Sequence, residues 1–449
     1  MEQNSSNNPL NLRDYEDFIS KKRDNFLFKR VNLLNKEIIW NLPSSKSHFI
    51  RWLFIAAQSE KKTIIKTPSS IGNDIFSCAN VLEKLGVKII KNTDQWDVFG
   101  CKKGNFNKNP GVLDCGNSAT TVRFLSIFLA RNAINATICG DKSLSCRDFS
   151  ELIFLLENGG ISIKRGNNNY LPFTLEGLFN LENIEVPVKK TSQLISGLLI
   201  TMPSSIEKLK IYFSNEIVSK PYFELTLELC IGTGANLEIN DGEIVIKPWN
   251  IEINKEILIP GEASLIFFPL LFCKLHKCRV VINNWPVKND SLGFEMIKEH
   301  MPSLGLSWKH RNKSVIIEVD NSGEKSFTID ISKNIDSITP LSILMAISHG
   351  GRINGIDHAI NKESNRVKST IELCEKFGFK IKSDNNLIIS KSKIITPKSL
   401  IFARGDHRLQ MCAMLLLTVT GGLIESFEWY AISDLNFIKR LYVQGVSIS

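Results

Sequence analysis

No stretch of this 449-residue chain stays apolar for the roughly 18 residues that a membrane-crossing helix needs. The longest candidate, SLIFFPLLFC at 264–273, is too short and holds a proline, so no membrane association is expected. The ten cysteines include no CxxC pair, and several stand in apolar stretches where a reduced thiol behaves as a small hydrophobe. A disulfide framework is not expected at this size, which favours a reducing cytoplasm. CKLHKC brings Cys273, His276 and Cys278 together, but no second ligand pair follows, so no metal centre is expected. Basic residues outnumber acidic ones by 55 to 46 without any basic run or basic–aromatic interleaving. That balance suits small anionic ligands and argues against nucleic acid. Residues 1–30 have no apolar signal core and contain acids, and they read as a polar extension.

What is present is a period. An amphipathic helix ending in glycine and running into a strand recurs at Gly86, Gly160, Gly234, Gly305 and Gly378, with spacings of 74, 74, 71 and 73. Glycine suits the position after a helix, where the left-handed conformation is cheap only without a side chain. Five occurrences, with room for a sixth near the C-terminus, imply about six copies of one α/β unit. At 43 % hydrophobic residues, the chain can gather them into two compact domains of three. The crossing points are expected at NLPSSK (41–46) and ILIPGEAS (257–264), each with a proline before a helix start. Residues 44–262 would form one domain, and residues 31–43 with 263–449 the other.

Three predicted helices begin with cations, the unfavourable sign for that end unless an anion faces it. SSKSHFIRWLFIAAQ carries Lys46 and Arg51 behind serine caps. GNSATTVRFLSIFLA carries Arg123 behind Asn117 or Ser118, and GDHRLQMCAMLLLTV places His407 and Arg408 just before an apolar helix. One such start is an ordinary surface feature; three suggest a cleft where helix N-termini and basic side chains face a phosphate or carboxylate.

In order, LPSSKSHFIR, GNSATTVRFL, GDKSLSCRDF, TSQLISGLL, VSKPYFELTLEL, PGEAS, NIDSITPLSILMA, NKESNR and GDHRLQM resemble the enolpyruvyl transferases, and within them the 5-enolpyruvylshikimate-3-phosphate synthase family. The resemblance implies a two-domain inside-out α/β barrel, each domain three copies of a βαβαββ unit, with helices directed at the cleft. It implies transfer of the enolpyruvyl group of phosphoenolpyruvate to the 5-hydroxyl of shikimate 3-phosphate, in aromatic amino acid biosynthesis. Shikimate 3-phosphate would be held by Lys46, Ser47, Arg51, Thr191, Ser192, Ser219, Tyr222, Asp336, His358 and Lys362. Phosphoenolpyruvate would be held by Lys46, Asn117, Arg123, Arg147, Gln193, Arg366 and Arg408, with Ala119 beside it. Arginine offers these anions a planar fork and lysine a point charge. Asp336 would orient and deprotonate the attacking hydroxyl, while Glu363 and Lys46 would serve proton traffic at phosphoenolpyruvate. Taken singly, Asp336 could be a helix cap and Glu363 an ion-pair partner of Arg366. No cofactor or metal is implied. A monomer whose domains close on its ligands is expected.

The departures from the family pattern are specific. Ser44 stands for a usual glycine, Glu262 and Asn365 for aspartates, and Leu435 for a C-terminal lysine, with Lys439 four positions on. These keep open an enolpyruvyl transferase for another cyclitol phosphate, or a catalytically impaired metabolite-binding relative. A sister transferase acting on UDP-N-acetylglucosamine fits less well, because Cys146 is adjacent to Arg147 rather than several residues before it. Ala119 stands where glyphosate-sensitive members carry glycine, so poor inhibition by glyphosate is expected.

Overall fold

The computed structural model describes residues 23–449 apart from 32, 34–35, 68, 102–103, 167–169, 215, 286–294, 312–313 and 362. Ser44–Glu262 gathers into one compact unit, and residues 23–43 with the described part of 263–449 into another. Each has its own core. In the first, Phe54 packs edge-on against Phe124 and Phe128, with centroids 5.7 and 5.9 Å away. In the second, Trp40 packs on Phe272 and Phe437 at 5.3 and 6.1 Å.

The strands are short and alternate. In Glu243–Ile246, EIVI, Ile244 and Ile246 are buried while the residues between face outward, the two-residue period of a half-covered sheet. Five four-stranded sheets share one pattern: a first strand parallel to the second, then two antiparallel neighbours. One runs without interruption through strand Val112–Asp114, helix Ala119–Arg131, strand Ala136–Cys139, helix Ser150–Asn158 and strands Ser162–Arg165 and Phe173–Glu176. Two take their first strand from a distant part of the chain. Ile257–Leu258 pairs with Thr63–Lys66, and Glu37–Ile39 pairs with Arg279–Ile282, both parallel.

The five repeat glycines all adopt positive φ, from 69° at Gly305 to 103° at Gly234. Gly445 does the same at 85°, after the Phe437–Val443 helix. The segment before Gly305 is not the amphipathic helix expected. It is a short helix, Glu295–Lys298, and a 3₁₀ turn, Pro302–Leu304, because Pro302 cannot donate to an α-helical bond.

Residues 25–30 correct the reading of residues 1–30 as an extension; residues 1–22 lie outside the described residues. Asn25–Phe28 is a strand antiparallel to Gly422–Glu425, and Phe26 and Phe28 are buried. Phe28 also bridges antiparallel to Ile448, and Ile401 bridges parallel to Ile424. This is the pairing pattern of the other five sheets, with its third strand supplied from the N-terminus. Polar neighbours hid the strand, since NFLF becomes stable only against a partner nearly 400 residues away.

Candidate active site

Lys46 opens the Lys46–Ala57 helix, which has no acid in its first turn. Its serines do not cap it. Ser45 Oγ donates to Glu262 Oε2 at 3.1 Å instead, and the Lys46 backbone N–H donates to the same oxygen at 3.1 Å. The negative charge at this helix start is therefore internal. Glu262, one methylene longer than aspartate, reaches it because Ser45 N–H bonds Pro260 O at 2.8 Å, laying the two proline-containing segments side by side. Ser44 is not among the residues at positive φ, so serine carries no backbone cost there. The Lys46 ammonium donates to Asp74 Oδ2 at 3.0 Å.

Arg51 is buried inside the same unit, and its guanidinium is engaged by protein groups. It donates to Thr226 Oγ1 at 2.9 Å, Ser47 O at 3.0 Å and Tyr222 O at 3.1 Å, and it lies 5.4 Å from the Phe124 ring. Burial lowers its pKa to about 10. Ser219 precedes the Lys220–Gly232 helix in the left-handed region, φ 58°, and its carbonyl accepts from Ser192 Oγ at 3.4 Å. Thr191 Oγ1 accepts from Gln193 N at 3.1 Å. Ser47, Thr191 and Tyr222 are half-buried.

Two further arginines of this unit, Arg123 and Arg147, meet near the start of the Ala119–Arg131 helix. Ser118, not Asn117, is its cap, accepting from Thr121 N. Asn117 is free for side-chain work: it accepts from Arg147 Nη2 at 2.6 Å and donates to Asp141 Oδ2 at 2.7 Å. Asp141 in turn caps the short Lys142–Ser145 helix that leads to Arg147. Arg123 donates to Gln193 Oε1 at 2.7 Å and Asp148 O at 3.3 Å. Burial, with Arg147 nearby, lowers its pKa to about 10. Gln193 also donates to Thr120 Oγ1 at 3.1 Å. Ala119, half-buried, is the first residue of the helix that carries Arg123.

In the second unit the organising side chain is Arg366, first residue of the Arg366–Lys376 helix. Asn365 caps that helix, accepting from Lys368 N at 3.1 Å, so the exchange from aspartate keeps the cap and removes a charge. Arg366 donates to Asp406 through Nε at 2.7 Å and Nη2 at 3.3 Å, and also to Asp336 and Glu363. Burial opposes its charge, but Asp406, Glu363 and Asp336 outweigh that and hold its pKa above the ordinary arginine value. Asp406 also caps the His407–Thr420 helix, accepting from Arg408 N and Leu409 N. Arg408 Nη1 and Nη2 donate to Ser264 O and Oγ at 3.1 and 3.0 Å, and Nη2 lies 3.7 Å from Asp336 Oδ2. Asp336 is thus a partner of both arginines and caps no helix; the following helix has Ser337 at that position. Glu363 is the ion-pair partner of Arg366 that spacing alone allowed.

His358 lies half-buried in the Asp357–Asn361 turn, and Lys362 lies outside the described residues. Leu435 is 37 % exposed, just before the cap of Phe437–Val443, and that helix carries Lys439. CKLHKC is structural, with the Cys273 thiol donating to Cys278 O at 3.0 Å and His276 Nε2 2.7 Å from Thr418 Oγ1. The reading from sequence missed Asp74 and Asp406. Both stand at helix starts, where an acid is a recognisable signal.

A family model described as EPSP synthase (3-phosphoshikimate 1-carboxyvinyltransferase) matches residues 29–441. The 3-phosphoshikimate 1-carboxyvinyltransferase of Methanococcoides burtonii is 25 % identical over 414 residues, which are 90 % of this chain and 95 % of that one. Its namesake from Clostridium novyi is 28 % identical over 398 residues, 86 % and 89 % of the two chains. The solved structure of EPSP synthase from Acinetobacter baumannii shares the α/β fold at a TM-score of 0.74 and 19 % identity, across 95 % of this chain and 99 % of that chain. With its family model spanning all but the ends, this chain belongs to the EPSP synthase family.

Proposed function

We propose that the chain transfers the enolpyruvyl group of phosphoenolpyruvate to the 5-hydroxyl of shikimate 3-phosphate and releases phosphate. The observation that carries this reading, beside family membership, is the Arg366 constellation. One buried guanidinium is aimed by three carboxylates, Asp406, Asp336 and Glu363, two of them the proposed catalytic acids. Such a group is oriented by protein contacts alone.

In the reaction, the 5-hydroxyl oxygen bonds to C2 of phosphoenolpyruvate, its proton leaves, and a proton is added to the C3 methylene. The tetrahedral product then loses phosphate as a methyl proton is removed. Asp336 takes the hydroxyl proton, and Glu363 and Lys46 handle the C3 proton. Phosphoenolpyruvate is assigned to Lys46, Asn117, Arg123, Arg147, Gln193, Arg366 and Arg408. Shikimate 3-phosphate is assigned to Lys46, Ser47, Thr191, Ser192, Ser219, Tyr222, Asp336, His358 and Lys362. Arg51 joins that set through the guanidinium hydrogens that its three protein bonds leave over, or through holding Ser47 and Tyr222 in place. We read the architecture as an inside-out α/β barrel of three βαβαββ units per domain, a reading supported by the shared sheet order. We read the protein as a cytoplasmic monomer that needs neither nucleic acid nor cofactor. The free cysteines, seven of them buried, support a reducing compartment.

The test is phosphate release from the purified chain with both substrates and with each omitted in turn. Release that needs both supports the assignment, and Lys439→Met then asks whether Lys439 serves in place of a lysine at 435. Binding of shikimate 3-phosphate without release would instead mark an impaired relative.

A further inference from the structure

We infer that Asp74 is a positioning residue for Lys46, fixing the place of the ammonium that the proposed function puts against substrate, and this rests on that assignment of Lys46. The pair is asymmetric. Lys46 Nζ lies 3.0 Å from Asp74 Oδ2, yet the aspartate side chain is 4 % exposed and the lysine side chain 32 %. The buried partner is the acid, so the acid is the anchor and the lysine is the group being held.

The anchor is itself fixed by the fold. Asp74 is the second residue of the Asn73–Lys84 helix, where unpaired N–H groups and the helix dipole favour an anion, and the preceding cap is Gly72. Its other oxygen, Oδ1, is buried and has no hydrogen-bond partner among the described residues. A buried carboxylate with one oxygen unsatisfied depends heavily on a cation, and Lys46 is the cation it meets. Ion pairs of this kind contribute little net stability compared with apolar packing, so anchoring of the lysine is the better account of the pair.

Lys46 is held at its other end too, by its backbone N–H on Glu262 Oε2 at 3.1 Å. A lysine head on a flexible four-carbon stem otherwise samples many positions. Gripped at both ends by buried carboxylates, it presents one.

The test joins a kinetic cycle to a readout that needs no turnover. Asp74→Asn should lower kcat/KM for phosphoenolpyruvate about tenfold in the wild-type background and less than about twofold in a Lys46→Met background. Equal losses in both backgrounds would mean that Asp74 supports the fold generally, and would overturn the proposal. So would no loss in either. Independently, Asp74→Asn should raise the acylation rate of Lys46 by an amine-reactive ester several-fold, measured by peptide mass mapping. An unchanged rate overturns the proposal whatever the kinetics show. If the wild-type chain releases no phosphate but Lys46 becomes more reactive, positioning stands and the functional reading fails. Asp74→Glu, which keeps the charge on a longer stem, should give an intermediate rate, and serves if the asparagine variant does not fold.

Discussion

Leu27 and Ser449 exchange both of their backbone hydrogen bonds, at 2.8 and 3.0 Å, so the first described strand is sewn to the last residue of the chain. The sheet closed in this way also contains Gly422–Glu425, which directly follows the helix bearing His407 and Arg408. The first described strand and the last residue thus complete one sheet that packs against that helix.

Phe28, 1 % exposed in that strand, should be costly to truncate. Phe28→Ala is expected to destabilise the chain by about 3–5 kcal/mol. Leu27→Ala, at a position 39 % exposed, should cost under about 1 kcal/mol. Urea unfolding curves of the two variants check this; similar midpoints would mean that the strand contributes little.

Asp406 serves two masters, the Arg366 guanidinium and the start of the His407–Thr420 helix. Asp406→Ala should lose about 3–5 kcal/mol by leaving Arg366 with a missing partner and uncapping the helix. Asp406→Asn can still cap and should lose clearly less stability, yet both should depress kcat/KM for phosphoenolpyruvate. Equal midpoints for the two variants would argue against the cap.

Burial disfavours the charged ring of His407, whose pKa falls to about 3, and of His276, whose pKa falls to about 4. In the unfolded chain both return to about 6.5. Between those values the unfolded state binds more protons, so stability rises with pH and falls on acidification below about 6.5. Each histidine contributes a slope of up to ~1.4 kcal/mol per pH unit. His276→Gln, which can keep a bond to Thr418 Oγ1, should flatten the urea midpoint profile between pH 5 and 7. An unchanged profile would remove His276 from the account.

Ala119 opens the helix that carries Arg123. If the family pattern holds here, its methyl would occupy space that glyphosate needs and phosphoenolpyruvate does not. The wild-type chain should therefore resist glyphosate, and Ala119→Gly should increase inhibition competitive with phosphoenolpyruvate. Sub-millimolar inhibition of the wild type would refute this.

Much of the candidate site was legible because the cations proposed for it stand at helix starts, and a helix start is a local signal. Arg366 follows its cap by one residue, and Lys46 and Arg408 fall in first turns. Their partners were not legible. Nothing near Arg366 in sequence points to Asp406, 40 positions on, or near Lys46 to Glu262, 216 positions on. Arg51 shows the same limit from the other side: an arginine one turn into a helix looks available, but Thr226 and Tyr222 engage it.

The sequence by itself determined the repeat, through glycines that a helix end requires, and the family, through motifs whose order carries the information. It determined which residue types stand at each helix start. The tertiary structure alone decided that Asn25–Phe28 completes a sheet, that Pro302 breaks a repeat helix into a 3₁₀ turn, and which carboxylate holds which cation. The physical reason is range. Caps and periodicity act between residues a few positions apart, whereas strand pairing and charge partnership are settled by whichever distant segment the fold brings within hydrogen-bond reach.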